Sequence, residues 1–379
     1  AVGPPAGAAP QDRIDGARTG RARTPLPAAV NVLWSRHLSG GIEHAPLVDA
    51  SGDALVALAI PEIVKLAADG KELFRTRLGP QAAIVPPVLL GGGDLVAVTS
   101  GGLAVFVSPS GVVRRVAQLG ARVRSEDASP VALRDGGFAV AAGRALLELD
   151  ADGFVRARAA LEERPVGALL DGPEGVIATG ESGAVYVLRP PAPPRRIGTF
   201  GGQVRRGGAA LADARTLLAV VDGRRLVAFD LVSGAAHVRT SVPQGATPMD
   251  GPPAVGVSGL AYVATQGGLV AGLDAMGTER VRAVVEKPPP MPAFGPGAPF
   301  GGQILFAPVD TKPSPPLVVD PEGRIAFVRA TGKLGVVAPD GSVALASERV
   351  CASPIALVPA GARRLLLACR DGAVVSLGP

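Results

Sequence analysis

The chain has almost no asparagine and almost no tryptophan: Asn31 and Trp34 are the sole examples in 379 residues, and aromatic residues make up 3%. That scarcity excludes chemistry. A calcium site needs a cluster of about six or more oxygen ligands, and the apolar segments of this sequence do not offer one. A surface that reads nucleic acid combines a continuous basic stripe with stacking aromatics. Here the basic residues comprise five lysines and many arginines scattered in ones and twos, as at Arg114-Arg115, Arg195-Arg196 and Arg363-Arg364. The net charge of +5 and pI near 9.7 therefore reflect composition, and nucleic acid is not an expected partner. The three histidines, His37, His44 and His237, are far apart and lack metal spacing, and read as loop residues. Nor is there a nucleophile with an evident base. The segments "GVSGL" and "GESGA" lack the last glycine of a nucleophile elbow, and Lys333 in "RATGKLG" lacks the preceding glycine of a phosphate loop. Asp69, Asp152, Asp340 and Asp371 each precede glycine, which is hairpin-turn chemistry. No apolar run approaches the roughly 18 to 20 residues of a membrane-spanning helix.

What is present is apolar and punctuated. Hydrophobic residues make up 47% of the chain, beside 51 glycines and 37 prolines. Those glycines recur at regular intervals within apolar segments, which separates the sequence from a disordered one of similar content. The first residue is Ala1, and "AVGPPAGAAPQD" resembles the spacer of an exported protein. Removal of a secretory signal is the expectation, and trimming of a recombinant chain is the alternative.

A repeat runs through the sequence. Segments such as "LVAVTSGGLAVFVSPSGVVRR" from Leu95 and "FAVAAGRALLELDADGFVRA" from Phe138 share one pattern of strand, Gly turn, strand, Asp-Gly-like turn and strand. Eight segments match. Their turn glycines include Gly102, Gly143, Gly183, Gly223, Gly268, Gly332 and Gly372, separated by 41, 40, 40, 45, 64 and 40 residues. An earlier apolar segment, often opened by Pro, precedes each ("APLVDASG", "PPVLLGGG", "SPVALRDGG"). The unit is thus four short strands with a period near forty, and the predicted fold is all-β: an eight-bladed β-propeller of four-stranded antiparallel blades. One such sheet cannot bury both faces, whereas a ring of eight buries them against one another.

The last segment, "LLLACRDGAVVSLGP", ends one strand short. An unpaired alternating segment, "VNVLWSRHL" with Leu33 and Trp34, lies before the first repeat. It is predicted to close the ring as the outer strand of the last blade, since an open ring would expose sheet edges. Residues 1–28 are then an N-terminal extended arm or linker, and 29–379 a single propeller.

These features resemble the PQQ-like propeller superfamily. The start of the chain carries its Arg-Thr-Gly element at Arg18, Thr19 and Gly20, its Leu-Trp strand at Leu33 and Trp34, and its Pro-opened first strand at Pro46. The resemblance implies either a quinoprotein-type enzyme or a cofactor-free scaffold of the BamB-like kind. The enzymes of that superfamily use repeated Trp motifs, adjacent cysteines, and calcium held by Glu, Asn and Asp, which this sequence does not supply. The expectation is therefore a non-catalytic scaffold with no cofactor, no catalytic residues and no metal site. Its partners would be other proteins of a bacterial envelope or extracellular complex, in the periplasm or at the cell surface, with membrane association only through them. The alternative is a PQQ-like propeller enzyme or small-ligand binder that uses the central channel.

Two further features carry expectations. Cys351 precedes the first strand of blade eight and Cys369 ends the second, so the two fall within about one residue of facing each other, and a disulfide is predicted. Two buried free thiols are the alternative, since a one-residue slip puts them on opposite faces. A Pro-rich insertion at about 287–312 interrupts the period between blades six and seven. Met291, Phe294, Phe300 and Phe306 give it apolar content suited to partner binding. A strap packed on the propeller itself is the competing reading, and "QILFAPV" could add a strand. The arm 1–28 carries the same two readings.

Overall fold

Each repeat forms one antiparallel sheet because its short β-prone runs are separated by turns with a built-in cap. The computed structural model describes residues 9–242, 248–266, 268–285, 316–329, 332–345 and 349–379. In the first blade the strands are Leu47–Val48, Ala54–Ala57, Glu62–Leu66 and Glu72–Arg77, here lettered A to D from the axis outward. Where the turn reads Asp-x-x-Gly, the aspartate carboxylate accepts backbone N–H groups two and four residues on. Asp49 does this for Ser51 and Asp53 at 2.9 and 3.1 Å, and Asp150 for Asp152 and Phe154 at 3.0 and 2.9 Å. Such Asx turns fix the hairpin before any tertiary contact exists.

Eight four-stranded sheets result. Blades 2 to 7 span 88–118, 131–160, 165–199, 204–241, 249–284 and 318–345. Blade 8 takes strands A to C from Pro354–Pro359, Leu365–Cys369 and Ala373–Gly378, and its strand D is Asn31–His37 from the start of the chain. Ring closure is therefore as the sequence implied. The closing ladder pairs Val32 with Leu377 and Trp34 with Ser376, leaving Leu33 as the extra residue of a bulge, half exposed. Trp34 turns toward blade 1. Its indole N–H donates to the Ala68 carbonyl at 2.9 Å, and its ring covers Gly70. Gly70 has φ +85°, and a Cβ there would lie 2.8 Å from the indole, so both backbone and space require glycine. Trp34 thus bridges the seam between the last blade and the first.

Apolar side chains pack between blades rather than within one. Phe106 of blade 2 meets Phe138 of blade 3 edge to face at 5.9 Å, and Phe200 of blade 4 meets Phe229 of blade 5 at 5.3 Å. Strands A to C are largely buried, while strand D alternates outward, as in Glu72–Arg77. The outer strands carry many of the arginines, several tied to acids on neighbouring strands or turns: Arg75 to Glu62 at 2.8 Å, Arg114 to Asp94 at 2.8 Å, Arg280 to Asp274 at 2.8 Å. Charge along an exposed strand blocks edge-to-edge association, which gives the scattered arginines a structural use. Cys351 and Cys369 form a disulfide across blade 8, with Cα atoms 6.1 Å apart and a sequence separation of 18. Closing a loop of that length stabilises by about 3 kcal/mol in the chain-entropy account.

Antiparallel order gives the ring two distinct faces. The A–B and C–D turns lie on one, the first face. The B–C turns and the connections from each blade to the next lie on the other, the second face. Val284, which ends blade 6, and Val318, which starts blade 7, lie at the second-face ends of their strands.

Candidate functional site

At the first face the axis is occupied by the protein's own N-terminal segment. Residues 9–28 pass around the hub and meet the inner strand or its turn in every blade, in order. Ala9 pairs with Val48 of blade 1 through bonds of 2.8 and 2.9 Å, and Pro10 accepts from the Leu89 N–H of blade 2 at 2.7 Å. The Gln11 side chain accepts from Ala132 of blade 3 at 2.8 Å. Gly16, Ala17 and Thr19 carbonyls accept from Asp171, Leu211 and Val255 of blades 4, 5 and 6 at 2.9, 2.8 and 2.9 Å. Gly20 and Ala22 bond Val319 of blade 7, and Pro25 accepts from Arg363 of blade 8 at 3.0 Å. Each of these contacts satisfies a backbone group at the end of an inner strand that has no further ladder partner.

Two arginines sit inside this coil. Arg18 is fully buried. Its Nε donates to the Leu169 carbonyl at 3.1 Å, and its Nη atoms donate to the carbonyls of Asp12 and Pro130. Arg13, also buried, donates from Nη2 to the Pro253 carbonyl. Desolvation pushes Arg13 down to about 10 and lowers Arg18 as well, with the Asp12 and Asp15 carboxylates acting in the opposite sense. Arg18 therefore cross-links the coil to blades 3 and 4 with the several donors that only arginine presents in one plane, and Arg13 adds one bond to blade 6.

The second face carries a cleft of about 820 Å³ across blades 2 to 4. Its walls are connections and B–C turns: Gln81, Ser100 and Gly101, then Arg122 to Arg124, then Ala142 to Arg144, then Arg164 and Glu181. Side-chain hydrogen bonds to backbone N–H groups hold these loops in place. Asp127 accepts from the backbone N–H of Arg124 at 2.9 Å and of Gly143 at 3.1 Å, joining a connection to a turn of the next blade. Gln81 accepts from Gly101 at 2.7 Å, and Glu163 accepts from Ser182 N and Oγ at 2.8 and 2.7 Å. Arg164 is engaged by Glu181 and by Glu126 at 3.1 Å, and the Glu181 hydrogen bond raises its pKa further. Arg144 reaches only a backbone carbonyl, that of Glu162 at 3.2 Å, and Arg124 approaches Glu126 at 3.8 Å while 69% exposed.

The histidines divide differently from the reading as loop residues. His37 and His237 are exposed on outer strands. His44 is half-buried in the connection into blade 1, where its Nε2–H donates to the Ala83 carbonyl at 3.2 Å. Burial lowers its pKa, against smaller opposing effects from that hydrogen bond, Glu43 and Asp12. A folded value below the unfolded one means the folded state binds fewer protons. The resulting stability is complete above the unfolded value of about 6.5 and is lost as pH falls through the folded value. The urea midpoint is thus expected to decline on acidification below neutrality, and less so in His44→Gln, which stays neutral. Equal declines in both proteins would assign the effect to other groups.

Of the residues singled out in the sequence, the structure joins Cys351 to Cys369 and brings Leu33 and Trp34 to the ring seam. Met291, Phe294, Phe300 and Phe306 lie outside the described residues, as does "QILFAPV". The cleft arginines were not singled out. Their signal was a spacing: Arg124 and Arg164 stand 40 residues apart, one blade period, with Arg144 midway. Among the described residues no group of three or more His, Cys, Asp or Glu side chains is arranged to hold a metal ion, and no helix is long and apolar enough to cross a membrane.

No family model matches the chain, and no curated protein matches it in sequence. Solved structures match throughout its length. BamB from Moraxella catarrhalis is similar with a TM-score of 0.64 and 15% identity, over 93% of this chain and 100% of that one. The shared fold is a β-propeller. A computationally designed protein, Ika8, is similar with a TM-score of 0.68 and 12% identity over 90% and 98% of the two chains. Virginiamycin B lyase from Staphylococcus aureus follows at 0.54 and 11%, over 92% and 99%. A lyase and a designed chain on one architecture show that the ring itself does not dictate an activity.

Proposed function

We propose that the protein is a non-catalytic interaction scaffold of the BamB-like kind, which binds other proteins through loops of its second face. The observation that carries this reading is the coil of residues 9–28 across the hub. Every blade spends the free end of its inner strand on that coil, so the first-face end of the channel is filled by protein, where a channel enzyme or small-ligand binder would need open space and converging polar groups. The second face instead presents loops tied together by side chains, among them the buried carboxylate of Asp127. A rigid ring with variable loops suits recognition of another protein, because the loops are ordered before binding.

The disulfide within blade 8 supports an oxidising compartment, and the periplasm or cell surface of a bacterium is the proposed location. The partners are other components of an envelope or extracellular assembly. The insertion at about 287–312, which links blade 6 to blade 7, is proposed as part of the interface, through Met291, Phe294, Phe300 and Phe306. The test is an affinity pull-down from native envelope, comparing the intact protein with one lacking residues 288–311. The intact protein is expected to recover defined partners and the shortened one to lose some of them. Equal recovery removes the insertion from the interface, and no recovery above control by the intact protein counts against the scaffold itself.

A further inference from the structure

We infer that the arginine cleft of blades 2 to 4 is a docking groove for a short acidic peptide segment, the partner chemistry of the scaffold reading on which this inference rests. Four arginines against one glutamate line the cleft: Arg122, Arg124, Arg144 and Arg164 with Glu181. Glu126 and Glu181 already engage Arg164. The other three keep donors to give. Arg122 is exposed, Arg124 has its acid no nearer than 3.8 Å, and Arg144 is held by a backbone carbonyl. A guanidinium fork presents paired N–H donors that match a carboxylate.

The arrangement decides the class of ligand. The arginines come from two connections and one turn and line a cleft of about 820 Å³. Arg124 and Arg164 face one carboxylate, that of Glu126, at 3.8 and 3.1 Å. A cleft of this volume suits several carboxylates of a chain better than one small anion. Among the described residues no aromatic side chain lines the cleft, so bases would find no stacking platform there. The protein's own insertion is a poor occupant. Between Glu286 and Pro316 it has Glu286 and Asp310 against Lys287 and Lys312, with no acidic run. The loops are positioned in advance by Asp127, Gln81 and Glu163, so the arginine backbones need no reordering on binding.

The test uses the full-length chain and fluorescence anisotropy of labelled decaglutamate, with decaglutamine, inorganic phosphate and a decathymidine strand as comparisons. Decaglutamate is expected to bind, to weaken as salt is raised, and to lose about tenfold or more in affinity in the triple variant Arg122→Gln, Arg124→Gln, Arg144→Gln. The triple Arg→Lys variant should recover part of that loss, because charge persists while the fork is gone. An unchanged Kd in the Gln variant with an unchanged circular dichroism spectrum overturns the inference, as does equal binding of decaglutamine. Equal or tighter binding of decathymidine or phosphate at the same site also overturns it, making the cleft a nucleic-acid or simple anion site. Envelope partners recovered equally by the wild type and the Gln variant would sink the groove and leave the scaffold standing. Decaglutamate binding without any recovered partner would do the reverse.

Discussion

Deletion of residues 1–38 is expected to leave a chain with no cooperative unfolding transition. Two losses coincide. Strand Asn31–His37 disappears from blade 8, so the buried strand Ala373–Gly378 becomes an edge with an unsatisfied ladder. The hub coil goes with it, and with the coil the bonds to all eight inner strands. Domains are stable by only about 5 to 15 kcal/mol, and losing a whole ladder together with buried Ile14 and Leu26 is an effect of that size. Removal of residues 1–28 alone keeps the closing strand and takes away only the hub. That protein should still unfold in one transition, at a clearly lower urea concentration. Urea titrations followed by circular dichroism separate the cases. A normal transition after deletion of 1–38 would show that neither element closes the ring.

The second large effect is expected from one side chain. Arg18→Ala should destabilise the protein by about 3 to 5 kcal/mol. The substitution leaves the buried carbonyls of Leu169 and Pro130, and the partly buried one of Asp12, without their shared donor. Each buried carbonyl so stranded costs about 1 to 3 kcal/mol, and the volume of the lost side chain adds a cavity. The charge alone does not account for this, since Asp12 Oδ2 lies 4.0 Å from the guanidinium and is itself partly exposed. Arg18→Lys should therefore recover less than half of the loss, because one ammonium cannot reach three carbonyls in a plane. The measurement is the urea midpoint at unchanged slope. A loss under about 1 kcal/mol in Arg18→Ala would mean that water replaces the guanidinium at the hub.

Arg18 also marks the boundary of what residue patterns reveal. Its place in an Arg-Thr-Gly element was visible and carried a family resemblance, yet its work was not. The carbonyls it binds belong to residues 12, 130 and 169, which have no relation in sequence. They converge only after the ring has closed. Residues 9–28 carry no period of two, because each faces a different blade, so the segment gave no strand or helix signal. The cleft is a parallel case. Arg122, Arg124, Arg144 and Arg164 appear as isolated charges along the chain, and they share one site because connections and B–C turns of consecutive blades emerge at the same end.

The sequence by itself determined the local and periodic parts of this protein. Gly102, Gly143, Gly183 and their equivalents set the turns, the apolar runs between them set the strands, and a forty-residue period set eight blades. The fourth strand lacking from the last repeat pointed back to Trp34, and the position of Cys369 relative to Cys351 anticipated their bond. All of these depend on neighbours along the chain, or on a partner strand that a repeat makes identifiable. Only the tertiary structure decided how the hub is filled and where the free positive charge gathers. Those depend on strand ends and loop tips brought together by closure of a ring, and distance around a ring is not distance along a sequence.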